Sequence, residues 1–150
     1  MKVRIVIILV REAEILLMRH RRLGLNYWVL PGGAVKEGET VSDCARREMR
    51  EETGLEIELG RLVYFADVIS PDRRKHHLNL FFLGQILGGE FGVTPAKSPG
   101  EHLDEPRWIP LDHLPKLYPP IADRLIEDVR KGFPETAVYL SNVWTTEPTS

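Results

Sequence analysis

Three glutamates within five residues, Glu48, Glu51 and Glu52, are the clearest candidates for chemistry in this chain. On a helix, with about 100° per residue, they fall within roughly one third of the circumference. Like charges at these spacings repel by about a few tenths of a kcal/mol per pair, so a cation is expected to offset the repulsion. A hard divalent cation such as Mg²⁺ takes oxygen ligands and often bridges carboxylates to substrate phosphates. The alternative is a solvated acidic face with Arg–Glu pairs, which explains the helix alone equally well.

An apolar stripe sets the direction in which these glutamates face. Glu48 and Glu52 adjoin the stripe, whereas Arg46 and Arg50 lie on the opposite side, toward solvent. Carboxylates that lean toward the protein body need a partner. Arg47 lies beside them and is placed to hold a carboxylate through a two-bonded pair. The stripe has the spacing i, i+4 and i+8 and consists of Val41, Ala45 and Met49.

Capping residues predict the bounds of this helix as residues 41–53. Thr40 is the expected N-cap, with Asp43 as its capping-box partner. Gly54 stands where a helix C-cap glycine belongs. Before the helix, residues 31–33 (Pro-Gly-Gly) predict a loop that approaches a ligand closely with its backbone. A plain tight turn would explain that loop alone, but loop and helix together favour a metal-and-phosphate site.

The segment from Gly33 to Leu55 resembles the Nudix box, Gly-x5-Glu-x7-Arg-Glu-U-x-Glu-Glu-x-Gly-U, where U is aliphatic. Every fixed position is matched, and Met49 at the first aliphatic place is a mild departure. The flanks, residues 28–31 and 107–111, also resemble Nudix sequences, so the resemblance spans about the whole domain. The matching residues are Gly33, Glu39, Arg47, Glu48, Met49, Glu51, Glu52, Gly54 and Leu55.

The resemblance implies a MutT-like α/β/α sandwich with a mixed sheet, and hydrolysis of a nucleoside diphosphate linked to another group with Mg²⁺ or Mn²⁺. By similarity, the metal ligands are the three glutamates and the backbone carbonyl of Gly32. Arg47 would hold the glutamates in place, and Glu39 would be mainly structural. One of the three glutamates, or a loop glutamate, would orient or deprotonate water. A later loop often supplies another acid, for which we favour Glu101 over Asp104 and Glu105.

One residue beyond the box bears on the substrate. Pro71 lies sixteen residues past Leu55, as in ADP-ribose-cleaving members of the family, and this favours ADP-ribose or another nucleotide sugar. A turn between strands explains the proline equally well. The alternatives are a house-cleaning hydrolase of (d)NTPs or oxidised nucleotides, cleavage of capped RNA or dinucleoside polyphosphates, and a Nudix-like nucleotide-binding regulator without turnover.

Two basic segments are candidates for phosphate contact, with solvated surface loops as the alternative for each. The first, a predicted loop at residues 19–24, offers Arg19 and Arg21 for substrate binding. The second covers residues 73–77. Its histidine pair, His76 and His77, does not indicate zinc, because no third ligand has metal-like spacing.

The remaining elements predict an α/β domain with the order β-β-β-α-β-β-β-α. The first two strands are expected to pair as a hairpin. Residues 1–141 are expected to form one domain, followed by a polar, loose tail at 142–150. The predicted strands cover residues 3–10, 14–19, 27–30, 55–69, 77–87 and 107–109, a loop covers 88–100, and the second helix covers 120–131.

Composition limits the remaining classes of protein. With 43% hydrophobic residues, 28% charged residues and a net charge of −2, the chain has the make-up of a globular domain without a general affinity for nucleic acid. Cys44 is the only cysteine, which excludes an intrachain disulfide and indicates a small buried residue. No segment reaches transmembrane length, and the apolar start lacks a cleavage site. We therefore expect a cytoplasmic protein, with a homodimer left open.

Overall fold

The computed structural model describes residues 1–22, 24–92 and 103–146. Within them lie nine strands, two α-helices and a short 3₁₀ helix at Leu111–His113. The helices are α1 (Val41–Thr53) and α2 (Ala122–Lys131). The strands are β1 (Lys2–Ile8), β2 (Val10–Arg11), β3 (Glu14–Arg22), β4 (Leu25–Val29), β5 (Gly32–Ala34), β6 (Leu55–Ile69), β7 (His76–Gly89), β8 (Leu103–Pro110) and β9 (Val138–Asn142).

A mixed five-stranded sheet with the order β5-β1-β7-β6-β9 forms the centre of the fold. β1 is parallel to β7 and antiparallel to β5, and β6 is antiparallel to β7 and parallel to β9. Both long antiparallel strands, β6 and β7, begin or end within three residues of their predicted bounds. The predicted mixed sheet is therefore confirmed.

The second sheet corrects two predictions about the N-terminal segment. β3 pairs with β2, β4 and β8, all antiparallel. The predicted hairpin is limited to β2 and the adjoining Leu9, whose carbonyl accepts from the Leu16 amide at 3.0 Å. Residues 2–8 pair instead with β7 and β5 in the other sheet. The prediction of a basic loop at residues 19–24 was also wrong for its first four residues. Arg19–Arg22 continues β3 and pairs with β4.

The first helix has the predicted bounds and caps. The Thr40 hydroxyl accepts from the Asp43 amide at 3.0 Å, and the Asp43 carboxylate accepts from the Thr40 amide at 3.1 Å. Gly54 takes the left-handed conformation (φ 80°), which glycine adopts without the Cβ penalty, and its amide bonds to the Arg50 carbonyl. Because these caps define both ends of α1, the three glutamates lie in its last two turns.

Two hydrophobic clusters lie on opposite faces of the central sheet. Cys44, Ala45 and Met49 of α1 pack with Ile5 and Ile7 of β1 on one face. On the other face, Leu125 of α2 packs with a cluster that includes Val6, Ile8, Tyr64 and Phe81. Alternate residues of β1 thus enter opposite clusters, as strand geometry requires. The layers form the predicted α/β/α sandwich.

Two short strands were missed, and the tail is better anchored than expected. Residues 32–34, predicted as a loop, pair with β1 as β5. β9 runs one residue past the predicted domain boundary at 141. The amide of Val143 then bonds to the Asp67 carbonyl at 2.9 Å, so the tail is held to the sheet through this residue. Residues 147–150 lie outside the described part, as do 93–100 of the predicted loop. That residues 1–141 form one domain stays a prediction.

None of the helices in the described part of the chain combines the length and the apolar character needed to cross a membrane.

Candidate active site

Arg47 is the centre of an ion-pair network that fixes the acidic face of α1. Its Nε donates to Glu39 Oε2 at 2.6 Å and its Nη2 donates to Glu39 Oε1 at 3.0 Å, which makes a bidentate ion pair. Its Nη1 donates to Glu48 at 2.8 Å and to Glu51 at 3.3 Å, and Nη2 also reaches the Ala34 carbonyl at 3.2 Å. One guanidinium thereby ties the loop before the helix to the glutamates on it.

The network shifts the protonation of its members in the direction that keeps them charged. The hydrogen bond from Arg47 lowers the pKa of Glu39 to about 2. The same bond, followed by the bond to Glu48, raises the pKa of Arg47 above its usual range. Glu39 therefore stays ionised and anchors Arg47, which remains a full positive charge next to the candidate ligands.

The glycine pair before the helix lets α1 approach the sheet edge closely. A Cβ on Gly33 would lie 2.4 Å from the Glu48 carboxylate carbon. A Cβ on Gly32, at φ 151°, would lie 1.9 Å from the Ile5 carbonyl oxygen. Across the same contact, the Cys44 thiol donates to the Gly33 carbonyl at 3.7 Å. The missing side chain of Gly33 is the reason that the Glu48 carboxylate can lie against β5, and that of Gly32 allows β5 to approach Ile5 of β1 closely.

The three glutamates differ in exposure along the helix. The Glu48 side chain is 15% exposed and the Glu51 side chain 41%. Glu52, half-buried, lines a neighbouring cavity. The flanking residues Arg46 and Arg50 are exposed, as predicted, and Arg50 forms a two-bonded pair with Glu56 at 2.6 and 2.9 Å. The helix therefore turns its acids toward the protein and its other arginines toward solvent.

The donor set suits a hard divalent cation. It offers carboxylate oxygens, the ligands that such ions prefer. The backbone carbonyl of Gly32 is the further ligand that the resemblance implied. Arg47 contacts one oxygen each of Glu48 and Glu51, so the second oxygen of each carboxylate can serve a cation. In the described residues no three His, Cys, Asp or Glu side chains are already gathered as a metal site. Arg47 is the counter-charge that bonds to both Glu48 and Glu51.

A cavity of about 530 Å³ adjoins the glutamate helix. It lies on the sheet face opposite α1, between the two sheets and the segment before α2. Gly32 and Glu52 line the side of the cavity near the candidate metal ligands. The other walls contain Arg4, Lys75, His77, Asn79, Phe81, Tyr27, Tyr118, Trp144 and further residues from the same elements.

Several cavity residues were not predicted as site residues, although the sequence carries a signal for two of them. Arg4 interrupts the apolar run of β1, and Asn79 stands between two leucines of β7. A polar residue in a buried strand pattern needs a partner, and here both face the cavity. Tyr118 and Trp144 come from the segments next to α2 and β9, which local patterns do not bring together.

The structure does not bring the predicted substrate-binding residues into this cavity. Arg19 pairs with Glu105 at 2.6 Å, and Arg21 bonds to Asn26 at 3.3 Å. Pro71 lies in the exposed turn between β6 and β7. His20 of the first basic segment lines the cavity, as do Lys75 and His77 of the second.

The later acids that were considered as ligands have other partners or lie outside the described residues. Glu105 bonds to Arg19 and also to Arg107. Asp104 pairs with His20, which lines the cavity. Glu101, the favoured candidate, falls in the segment 93–102 that is outside the described part of the chain. Its role as a ligand stays a prediction.

A family model confirms the resemblance that the glutamate helix suggested. The model of the NUDIX domain matches residues 1–129. The chain belongs to the Nudix family. The match covers α1, both sheets except β9, and most of α2, so the family assignment rests on the whole fold and not on the box alone.

Relatives of this Nudix chain carry several activities in their names. The NAD-capped RNA hydrolase NudC of Pectobacterium carotovorum subsp. carotovorum is 33% identical over 126 residues, covering 83% of this chain and 45% of that protein. An ADP-ribose pyrophosphatase of Methanocaldococcus jannaschii is 32% identical, with 73% and 62% covered. A putative 8-oxo-dGTP diphosphatase of Bacillus subtilis is 32% identical, with 91% and 85% covered. The chain spans about half the length of the NudC proteins it matches.

A solved structure shows the same fold along almost all of this Nudix chain. It is an ADP-ribose pyrophosphatase from Streptococcus suis, with a TM-score of 0.67 and 25% sequence identity. The superposition covers 92% of this chain and 98% of that one. The predicted family and the predicted fold class are therefore confirmed.

Proposed function

We propose that this chain hydrolyses the pyrophosphate bond of a nucleoside diphosphate derivative with Mg²⁺ or Mn²⁺, and that ADP-ribose or another nucleotide sugar is the substrate. The observation that carries this proposal is that Glu52 and Gly32 belong both to the candidate metal set and to the cavity wall. A volume of about 530 Å³ suits a ligand of nucleotide size. Ligand and cation would therefore meet at one edge of the cavity.

The proposed metal ligands are Glu48, Glu51, Glu52 and the carbonyl oxygen of Gly32, with Glu101 as the candidate from the later loop. A bound divalent cation supplies charge neutralisation at the diphosphate and makes a coordinated water more acidic. Arg47 is a positioning residue in this scheme, because its bonds to Glu39 and Glu48 fix the carboxylates relative to the loop. Pre-positioned charge of this kind needs little reorganisation during the reaction.

The proposed reaction is an in-line attack of water on one phosphorus of the diphosphate. A glutamate of the cluster takes a proton from the water, the new P–O bond forms, and the bond to the bridging oxygen breaks. The leaving phosphate group departs with that oxygen. With ADP-ribose the products are AMP and ribose 5-phosphate. The cavity beyond Glu52 would hold the nucleoside part during this step.

The names of the relatives support this choice of substrate without deciding it. A curated relative and a solved structure are both called ADP-ribose pyrophosphatases. The Bacillus subtilis relative, which this chain covers to 85%, favours the alternative of an oxidised-nucleotide hydrolase. The name of NudC keeps cleavage of NAD-capped RNA among the candidates. A cytoplasmic location and a homodimer stay predictions, and sedimentation velocity measures the second.

A substrate panel tests the proposal. ADP-ribose, sugar nucleotides, NAD, 8-oxo-dGTP, (d)NTPs and dinucleoside polyphosphates are each incubated with Mg²⁺ or Mn²⁺, and the products are separated by chromatography. We expect the highest kcat/KM with ADP-ribose or a sugar nucleotide, and no turnover with EDTA. Highest kcat/KM with 8-oxo-dGTP would support the alternative. Nucleotide binding without turnover on any substrate would indicate a regulator.

The variant Glu52→Gln tests the assigned site. The amide keeps the shape of the side chain but loses the charge that a cation needs, so turnover should fall at least a hundredfold with the fold intact. Glu127→Gln, at an exposed glutamate of α2, is the matched control and should keep full activity. A folded Glu52→Gln protein with near-normal rates would show that the site is wrongly assigned.

A further inference from the structure

A buried amide oxygen on the central sheet faces the cavity. Asn79 lies on β7 and is only 5% exposed. Its Oδ1 finds no hydrogen-bond partner among the described residues. Buried side-chain oxygens in folded proteins are nearly always paired, and one that is not points to a strained or functional position. Because Asn79 lines the cavity, a bound ligand is the partner that would satisfy it.

A second polar group of interest lies two residues away on the same face of β7. The Nδ1 atom of His77 is buried and has no partner in the described part of the chain. Burial, followed by the nearby charges of Arg4 and Lys2, lowers the pKa of His77, so its ring is neutral at pH 7. His77, Asn79 and Phe81 alternate with residues that face α1, which places all three on the cavity wall.

The surroundings of these two groups suit a flat aromatic ligand. Tyr27 and Tyr118 meet edge to face, with ring centroids 5.9 Å apart, and both line the cavity. Trp144 adds a third aromatic side chain to the lining. Cavities lined by aromatic side chains with a few fixed polar groups are typical of sites that orient a small molecule. A nucleobase fits this combination of stacking surfaces and hydrogen-bonding edges.

We propose that Asn79, with His77 beside it, recognises the base of the substrate and selects adenine by accepting a hydrogen bond from its 6-amino group. An asparagine amide matches the N7 edge of adenine, since Oδ1 accepts from the 6-amino group while Nδ2 donates to N7. On that edge a 6-keto purine such as hypoxanthine offers only the acceptors O6 and N7, so Oδ1 stays unpaired whichever way the amide is turned. Specific recognition of this kind discriminates between bases by about 10- to 100-fold.

This inference rests on the proposed function for its biological meaning, but its test does not need turnover. Isothermal titration calorimetry measures the binding of AMP and of IMP to the full chain without a metal. Wild type should bind AMP at least tenfold more tightly than IMP. Asn79→Ala and Asn79→Leu should bring this ratio to within about threefold of one. Gln85→Ala, an exposed amide on the same strand, is the matched control and should keep the wild-type ratio.

Thermal unfolding separates recognition from a structural role. Replacing an unpaired buried amide by an apolar side chain of similar size removes an unsatisfied group, so Asn79→Leu should unfold at the same temperature as wild type or higher. If Asn79 had only a structural role, Asn79→Leu should instead unfold at a lower temperature than wild type.

The outcomes keep the two proposals distinguishable. An equal affinity of wild type for AMP and IMP, or an unchanged ratio in both Asn79 variants, overturns the base assignment even if ADP-ribose is cleaved. Absence of hydrolysis in the substrate panel overturns the proposed function, while the AMP to IMP ratio still decides the role of Asn79.

Discussion

Gly33→Ala is expected to disable the site while leaving the fold intact. The added methyl would lie 2.4 Å from the Glu48 carboxylate carbon, and 2.4 and 2.7 Å from its two oxygens. Ordinary contacts between heavy atoms begin at about 3.5 Å. The carboxylate must therefore move by about 1 Å. The backbone need not move, because the atoms in the way are the far end of a side chain.

The size of the effect follows from this displacement. A misplacement of about 1 Å in a reacting arrangement lowers rates by about a hundredfold, which corresponds to about 2.7 kcal/mol of transition-state stabilisation. The free energy of unfolding should change by less than about 1 kcal/mol, because Glu48 can rotate toward solvent. Gly33→Ala should therefore lose activity while its free energy of unfolding stays close to that of wild type.

The assay compares kcat/KM on the best substrate of the panel with the unfolding midpoint in urea. Gly88→Ala is the matched control, because it also adds a methyl to a strand glycine, yet nothing lies within 4 Å of the new atom. In a Glu48→Ala background, the Gly33 methyl has no carboxylate to displace, so it should cost less than about a twofold further loss. If Gly33→Ala keeps activity within about threefold of Gly88→Ala, the argument from the close contact is refuted.

Two further predictions concern the groups around Arg47. Because its folded pKa is lowered to about 2, Glu39 contributes stability that is present above its ordinary pKa and is lost as the pH falls toward 2. Between pH 6 and 2, the free energy of unfolding in urea should therefore fall less in Glu39→Gln than in wild type. An equal fall in both proteins would contradict this. Burial raises the pKa of Cys44 to about 11, so at pH 8 only about one thiol in a thousand is ionised. Iodoacetamide should modify the urea-unfolded chain rapidly and the native chain hardly at all, and equal rates would show that Cys44 is accessible.

Local signals in the sequence predicted the elements that hold the acidic cluster. The Thr40–Asp43 capping box and Gly54 gave both ends of α1, because caps act over only a few residues. Apolar alternation gave β6 and β7 nearly to the residue. The fixed spacing of the box then placed Arg47 among the glutamates, where the structure has it.

Predictions that depended on long-range pairing were less successful. Residues 32–34 form a strand only because β1 lies beside them, and β9 forms only beside β6. The basic segment at Arg19–Arg22 was taken for a loop because its charges hid the strand pattern, although β8 pairs with it along the other edge. Arg19 and Arg21 bond to neighbouring side chains. The described residues that line the cavity come from six separate parts of the chain, which no local pattern connects.

The most direct test of the central claim is a crystal structure with Mn²⁺ and an α,β-methylene analogue of ADP-ribose, with anomalous data collected to locate the ion. We expect at least one Mn²⁺ at about 2.2 Å from carboxylate oxygens of the Glu48–Glu52 cluster and from a phosphate oxygen of the analogue. The nucleoside should lie in the cavity beside Glu52. An analogue bound without an ion at the cluster, with Glu48 and Glu51 still held by Arg47, would contradict it.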